Sequence, residues 1–114
     1  MSKSKVYFCP RITAGNLIKI YKALGREAKG RVAIKISTGE AGNPNHLSTD
    51  VIKGLVHLVD GTIVECNTAY EGRRMNCQDH MQTAAEHGFP AIAEVNIMDT
   101  EGDVALPVKN GKHL

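Results

Sequence analysis

Short β-prone runs alternate along this chain with stretches whose apolar residues recur at helical spacing. That alternation admits few folds, because strands linked through helices pair in parallel and carry the helices on the sheet. Lys5–Cys9 (KVYFC) is the first β-prone run, ended by Pro10. Leu17, Ile20, Tyr21 and Leu24 then fall at i, i+3, i+4 and i+7, the spacing of an amphipathic helix. Thr13 is placed to cap its start and Gly25 to end it. Arg31–Ile36 is a second strand. Ile52, Leu55, Val56 and Val59 repeat the helical spacing behind Ser48 or Thr49 as N-cap. Asp60-Gly61 turns into a third strand, Thr62–Cys66. A third helix is expected from Asn76 to His87, stopped by Gly88, and a fourth strand at Ala91–Val95.

After Asn96 the alternation ends. Asn96–Met98 and Val104–Val108 flank a turn-rich stretch and read as a β-hairpin. The tail Asn110–Leu114 adds no closing element. The expected fold is α/β: a three-layer, mostly parallel four-stranded sheet with helices on both faces and a C-terminal β-hairpin. The 114 residues suit one domain, residues 1–114. With 4% aromatic residues and no Trp, packing must rest on Val, Ile, Leu and Ala, as in a buried parallel sheet.

Charge narrows the partners. Fourteen basic and 12 acidic residues leave a net charge of +2, scattered rather than clustered, which argues against a dedicated nucleic-acid or membrane surface. No apolar run approaches the ~20 residues of a membrane helix, and none follows the N-terminus as a leader would. Cys9, Cys66 and Cys77 are odd in number and widely spaced, which is no disulfide framework and suits a reducing cytoplasm. Without a C-x-x-C pair the chain has no iron–sulfur or structural zinc ligand set of its own.

The chemistry gathers after the second strand. The run VAIKISTGEAGNPNHL (Val32–Leu47) passes from apolar strand to a polar loop rich in glycine and asparagine. Parallel strands end at one edge of a sheet, where ligands of open α/β sheets bind. The loops after Ile36 and after Cys66 therefore meet there. Ser37, Thr38, Gly39, Glu40, Gly42, Asn43 and Asn45 come near Asn67, Thr68, Tyr70, Glu71, Arg73 and Arg74, and His46 lies in the same loop. Glycine allows close backbone approach, asparagine both donates and accepts, and Arg73 or Arg74 can clamp a carboxylate or phosphate. A small anionic ligand fits these parts. The plainer reading is that such loops are turns, with Glu40 and Arg73 paired at the surface. The loop matches neither a P-loop nor a dinucleotide fingerprint.

Single residues say less. His46 can serve as a base or ligand. His80 follows Cys77 by three residues, a spacing that can share a metal, but two ligands leave such a site incomplete. Its plainer reading is a packing or capping histidine. His57 reads as a solvated helix residue, Cys66 as an inert core thiol, and Cys77 as a helix-start thiol with no identifiable base.

Three runs then resemble a known family, domain of unknown function 362. They are V-A-I-K-I-S-T-G-E-A-G-N (Val32–Asn43), N-T-A-Y-E-G-R-R (Asn67–Arg74) and H-M-Q-T-A-A-E-H-G-F (His80–Phe89). The resemblance extends from about Val6 to Leu114. It carries over Lys35, Gly39, Glu40, Gly42, Asn43, Thr68, Tyr70, Gly72, Arg73, His80 and His87. Ser37 departs, since relatives often place His there. Longer relatives continue into a further α/β segment, often followed by a ferredoxin-like iron–sulfur domain, so the chain resembles their N-terminal portion. The ligand cysteines are absent, so no iron–sulfur cofactor is expected in this chain. Three functions follow as expectations: a ligand-binding domain of a redox-linked protein; an interaction module that dimerises or docks a separate C-terminal partner; or, least favoured, an enzyme using Glu40 or His46 as base and Arg73 as clamp.

Overall fold

The computed structural model describes residues 3–112; His113 and Leu114 of the expected tail lie outside the described residues. Helix α1 spans Ala14–Ala23, strand β1 Val32–Lys35, α2 Thr49–Leu58, β2 Gly61–Glu65, α3 Cys77–Glu86 and β3 Val95–Ile97. Single 3₁₀ turns occupy Arg73–Met75, Phe89–Ala91 and Met98–Glu101. The caps explain the helix starts. Thr13 accepts a hydrogen bond from the Asn16 amide, and Asn76 accepts one from the Asp79 amide, so each satisfies a first-turn N–H. Ser48 precedes α2 without such a bond.

The sheet is α/β and parallel, with three strands in the order β1-β2-β3. Ile34 pairs with Ile63, and Ile63 with Val95. Gly61 opens β2 because a Cβ there would lie 2.5 Å from Ile34 Cδ1. Ile52 and Val56 of α2, Ile63 of β2, Ala84 of α3 and Phe89 form one buried cluster, against which Leu17 of α1 also packs.

Four expectations are corrected. The described residues form three strands, not four. Lys5–Cys9 pairs with nothing, and Val6 and Phe8 stand exposed. Ala91–Val95 is mostly not strand: Gly88 turns left-handed at φ +84°, Pro90 lacks an N–H, and a 3₁₀ turn drops Phe89 into the core before β3 begins. The C-terminal hairpin does not form. Asn96 and Ile97 join β2 in parallel, the chain then winds into a 3₁₀ turn, and Val104–Val108 has no regular structure. The helices lie on one face, giving two layers instead of three. The strand order never reverses, so right-handed crossovers return both α2 and α3 to the same side. Ala33 and Lys35, which point to the other side, are exposed.

Candidate functional site

The strand ends do bring the two loops together, and the centre of the meeting is a charge cluster. Period two along β2 puts Glu65 on the same face as Ile63, so its carboxylate enters the helix-covered side and is 3% exposed. Arg74, in the 3₁₀ turn after β2, is 7% exposed. Its Nη1 donates to Glu65 Oε1 at 2.8 Å and to Ser37 Oγ at 3.1 Å. Its Nη2 donates to Glu40 Oε1 and, at 2.7 Å, to Tyr70 Oη. The Tyr70 hydroxyl in turn donates to Glu40 Oε1 at 2.6 Å. Arg74 Nε is buried without a partner.

Beneath Glu65 lies a second layer of polar groups. The Thr38 amide donates to Glu65 Oε2 at 2.8 Å. His80 is fully buried, with Nε2 3.1 Å from Glu65 Oε2 and 3.3 Å from Thr38 Oγ1. Its Nδ1 donates to Asn67 Oδ1 at 3.0 Å, and Asn67 Nδ2 donates to Cys77 Sγ at 3.1 Å. So Cys77 and His80 are joined through an amide and do not converge on a metal. Among the described residues no three of His, Cys, Asp and Glu gather around a common metal position.

The electrostatics follow from these bonds. Burial pushes the Glu65 carboxyl up, but hydrogen bonds from the Thr38 hydroxyl and amide and from His80 outweigh it and hold the group below the usual carboxylate range. The Arg74 guanidinium, then Tyr70, hold Glu40 low. The hydrogen bond to Glu40 raises both Arg74 and Tyr70.

The β1–α2 loop is pinned from a second direction. His46 stacks flat on His87 at the end of α3, with ring centroids 3.8 Å apart and planes within 4°. Each ring donates through Nδ1 to a backbone carbonyl of the loop, His46 to Asn43 and His87 to Thr38. Gly39 makes this possible. Its φ is +85°, and a Cβ would stand 2.5 Å from His46 Cβ. Gly42 turns the loop at φ +74°, and Asn43 Oδ1 accepts from the Asn45 amide.

A cleft of about 430 Å³ opens beside the loop, lined by Lys35, Ser37, Gly39, Asn43, Asn45 and His46 among others. Lys35 Nζ donates to the Ile36 carbonyl at 2.8 Å, and no carboxylate of the described residues lies within ion-pair reach of it.

Of the sequence-predicted residues, Glu40, Tyr70, Asn67 and His80 belong to the charge cluster and its support, and Lys35, Gly39, Asn43 and His46 line the cleft. Gly42 and Thr68 shape turns; Thr68 donates to the Tyr70 carbonyl at 3.1 Å. Arg73 goes elsewhere. It forks onto Glu86 of α3 at 2.8 and 2.9 Å, so the guanidinium that meets the Glu40 carboxylate is that of Arg74. Cys66 is exposed rather than a core thiol, and exposed His57 is tied by Nε2 to the Ile92 carbonyl at 2.8 Å. Glu65 was not foreseen. Its signal was parity, two residues after Ile63 on a strand whose inward face is apolar.

Comparison with known proteins adds one finding. No curated protein and no solved structure matches the chain. The family model described as Domain of unknown function (DUF362) matches residues 32–114, leaving Val6–Arg31 outside the match that the resemblance led one to expect. That match spans well over half of the sequence and includes all three of the resembling runs, so the chain belongs to the DUF362 family.

Proposed function

We propose that this domain binds a small anion, a carboxylate or phosphoryl group, in the cleft beside Lys35. One contrast carries the reading. Arg73 and Arg74 are already neutralised by Glu86, Glu40 and Glu65, whereas the Lys35 ammonium has no acidic partner among the described residues and overlooks a polar cleft of small-ligand size. Ser37, Asn43 and Asn45 offer neutral donors around it, and His46 keeps Nε2 without a partner among the described residues. Helix α2 starts two residues beyond Leu47 with no side-chain cap, so its first-turn amides add partial positive charge to this edge. The Arg74 cluster acts as the frame that holds the loop. This moves the anion receptor from the arginine pair to a lysine.

The test is a ¹⁵N-resolved NMR titration with inorganic phosphate and with acetate. Saturable shifts confined to residues 35–47, lost in Lys35→Gln and retained in Arg73→Gln, are expected. No saturable shift, or shifts unaffected by Lys35→Gln, would overturn the reading.

A second reading, an interaction module, is favoured by the bare face of the sheet around Ala33 and Lys35, since parallel sheets are ordinarily covered on both sides.

A further inference from the structure

A second cleft, larger than the one beside Lys35, lies at the opposite edge of the sheet. Its volume is about 950 Å³, at the upper end of the roughly 300–1,000 Å³ of small-ligand sites. Helices α1 and α2 end there, and the parallel strands β1 and β2 begin there. Tyr21 and Lys22 come from the last turn of α1, Leu58 and Val59 from the end of α2, and the Gly25–Lys29 loop forms the rim. The loop has a defined shape. Gly25 turns at φ +64° and Gly30 at φ +74°, and the Ala28 amide donates to Tyr21 Oη at 2.8 Å, which folds the loop back onto α1.

Charge is unbalanced at this spot. Between Lys19 and Arg31 stand five basic residues and one acidic one, Glu27, although the whole chain carries only +2. Three of the five, Lys22, Arg26 and Lys29, line the cleft, and none of them meets a carboxylate among the described residues. The helix ends do not account for them. Tyr21 O and Lys22 O of α1 already accept from the Leu24 and Gly25 amides, and Leu55 O and His57 O of α2 from the Val59 and Asp60 amides. Like charges gathered without counter-charges repel one another, and a bound polyanion removes that cost.

We propose that this cleft binds a small molecule bearing two or more phosphoryl groups on an apolar body, the chemistry of a nucleoside di- or triphosphate. Lys22, Arg26 and Lys29 take the phosphoryl oxygens, Arg26 through its planar fork. Tyr21, Leu58 and Val59 supply apolar surface for the body. Glu27, the one carboxylate lining the cleft, accepts hydrogen bonds and so suits a body with N–H donors. A cleft closed by a folded-back loop favours a compact polyanion over a nucleic-acid strand, which needs a groove that tracks its backbone. The site is independent of the Lys35 cleft. Residues 21–29 precede the family match at residues 32–114, so most of its lining lies outside that match.

The probes are ATP, inorganic tripolyphosphate, adenosine and a short oligothymidylate, each titrated into the ¹⁵N-labelled chain without divalent metal and followed by NMR. ATP should give saturable shifts at residues 21–29 and 58–59. Affinity read there should fall about tenfold or more in R26Q/K29Q, two exposed positions, and stay unchanged in Lys35→Gln. Tripolyphosphate should bind more weakly than ATP, and adenosine more weakly still. No saturable shift at the cleft, shifts that survive R26Q/K29Q or vanish in Lys35→Gln, or equal affinity for ATP and tripolyphosphate would each overturn the proposal. So would tighter binding of the oligothymidylate with shifts spread beyond the cleft.

Discussion

At the scale of single residues, adjacent arginines have opposite burial and opposite consequences. Arg74 neutralises buried Glu65, so Arg74→Met strands a carboxylate in the interior and should cost about 3–5 kcal/mol in urea unfolding. Arg73 and Glu86 are each about two-fifths exposed, so Arg73→Met should cost no more than about 1 kcal/mol. Nothing in the sequence ranks Arg73 above Arg74 or the reverse, because the choice depends on how one 3₁₀ turn directs two neighbouring side chains. Glu65 and Glu40 add a pH signature. Their folded-state values lie below the unfolded carboxylate value of about 4.3. The stability they contribute is therefore full above that value and disappears as pH falls through the folded values. Urea midpoints should be level near neutrality and drop below about pH 4.3, and Glu65→Gln should start lower and fall less steeply.

At the scale of elements, the helices and two of the three strands were legible because their signals are local. Thr13 and Asn76 cap where their side chains can reach an amide three residues ahead, and the apolar spacings follow helical geometry. The β1–α2 loop shows what local reading leaves out. Gly39 reads as a turn glycine, yet its second role is to admit His46 onto His87, a neighbour 41 positions away from the ring it meets. Gly39→Ala combines a disfavoured positive φ with a clash and should cost about 2–4 kcal/mol. Imidazole resonances of His46 and His87 should lose their stacking shifts in the same variant. An unchanged denaturation midpoint with both shifts preserved would show that the loop tolerates a Cβ there.

At the scale of the whole molecule, the core is small. Seven apolar side chains are buried among the described residues, α1 contributes no fully buried residue, and Val6, Phe8, Val104 and Leu106 stand in solvent. Single-sided helix packing contributes to this, since on the second face of the sheet Val64 is buried but Ala33 and Lys35 stand exposed. No helix among the described residues is long and apolar enough to cross a membrane.

The sequence by itself determined the three helices, strands β1 and β2 between them, the Thr13 cap, the membership signalled by three spaced runs, and the meeting of two loops at one sheet edge. These depend on periods of two and 3.6 residues and on the rule that parallel strands end together. Only the tertiary structure decided that Glu65 turns inward, that Arg74 rather than Arg73 meets Glu40, that two histidines stack, and that all the helices share one face. Each of these joins residues 9 to 41 positions apart or follows from strand order. Register and packing, not local propensity, set such pairings.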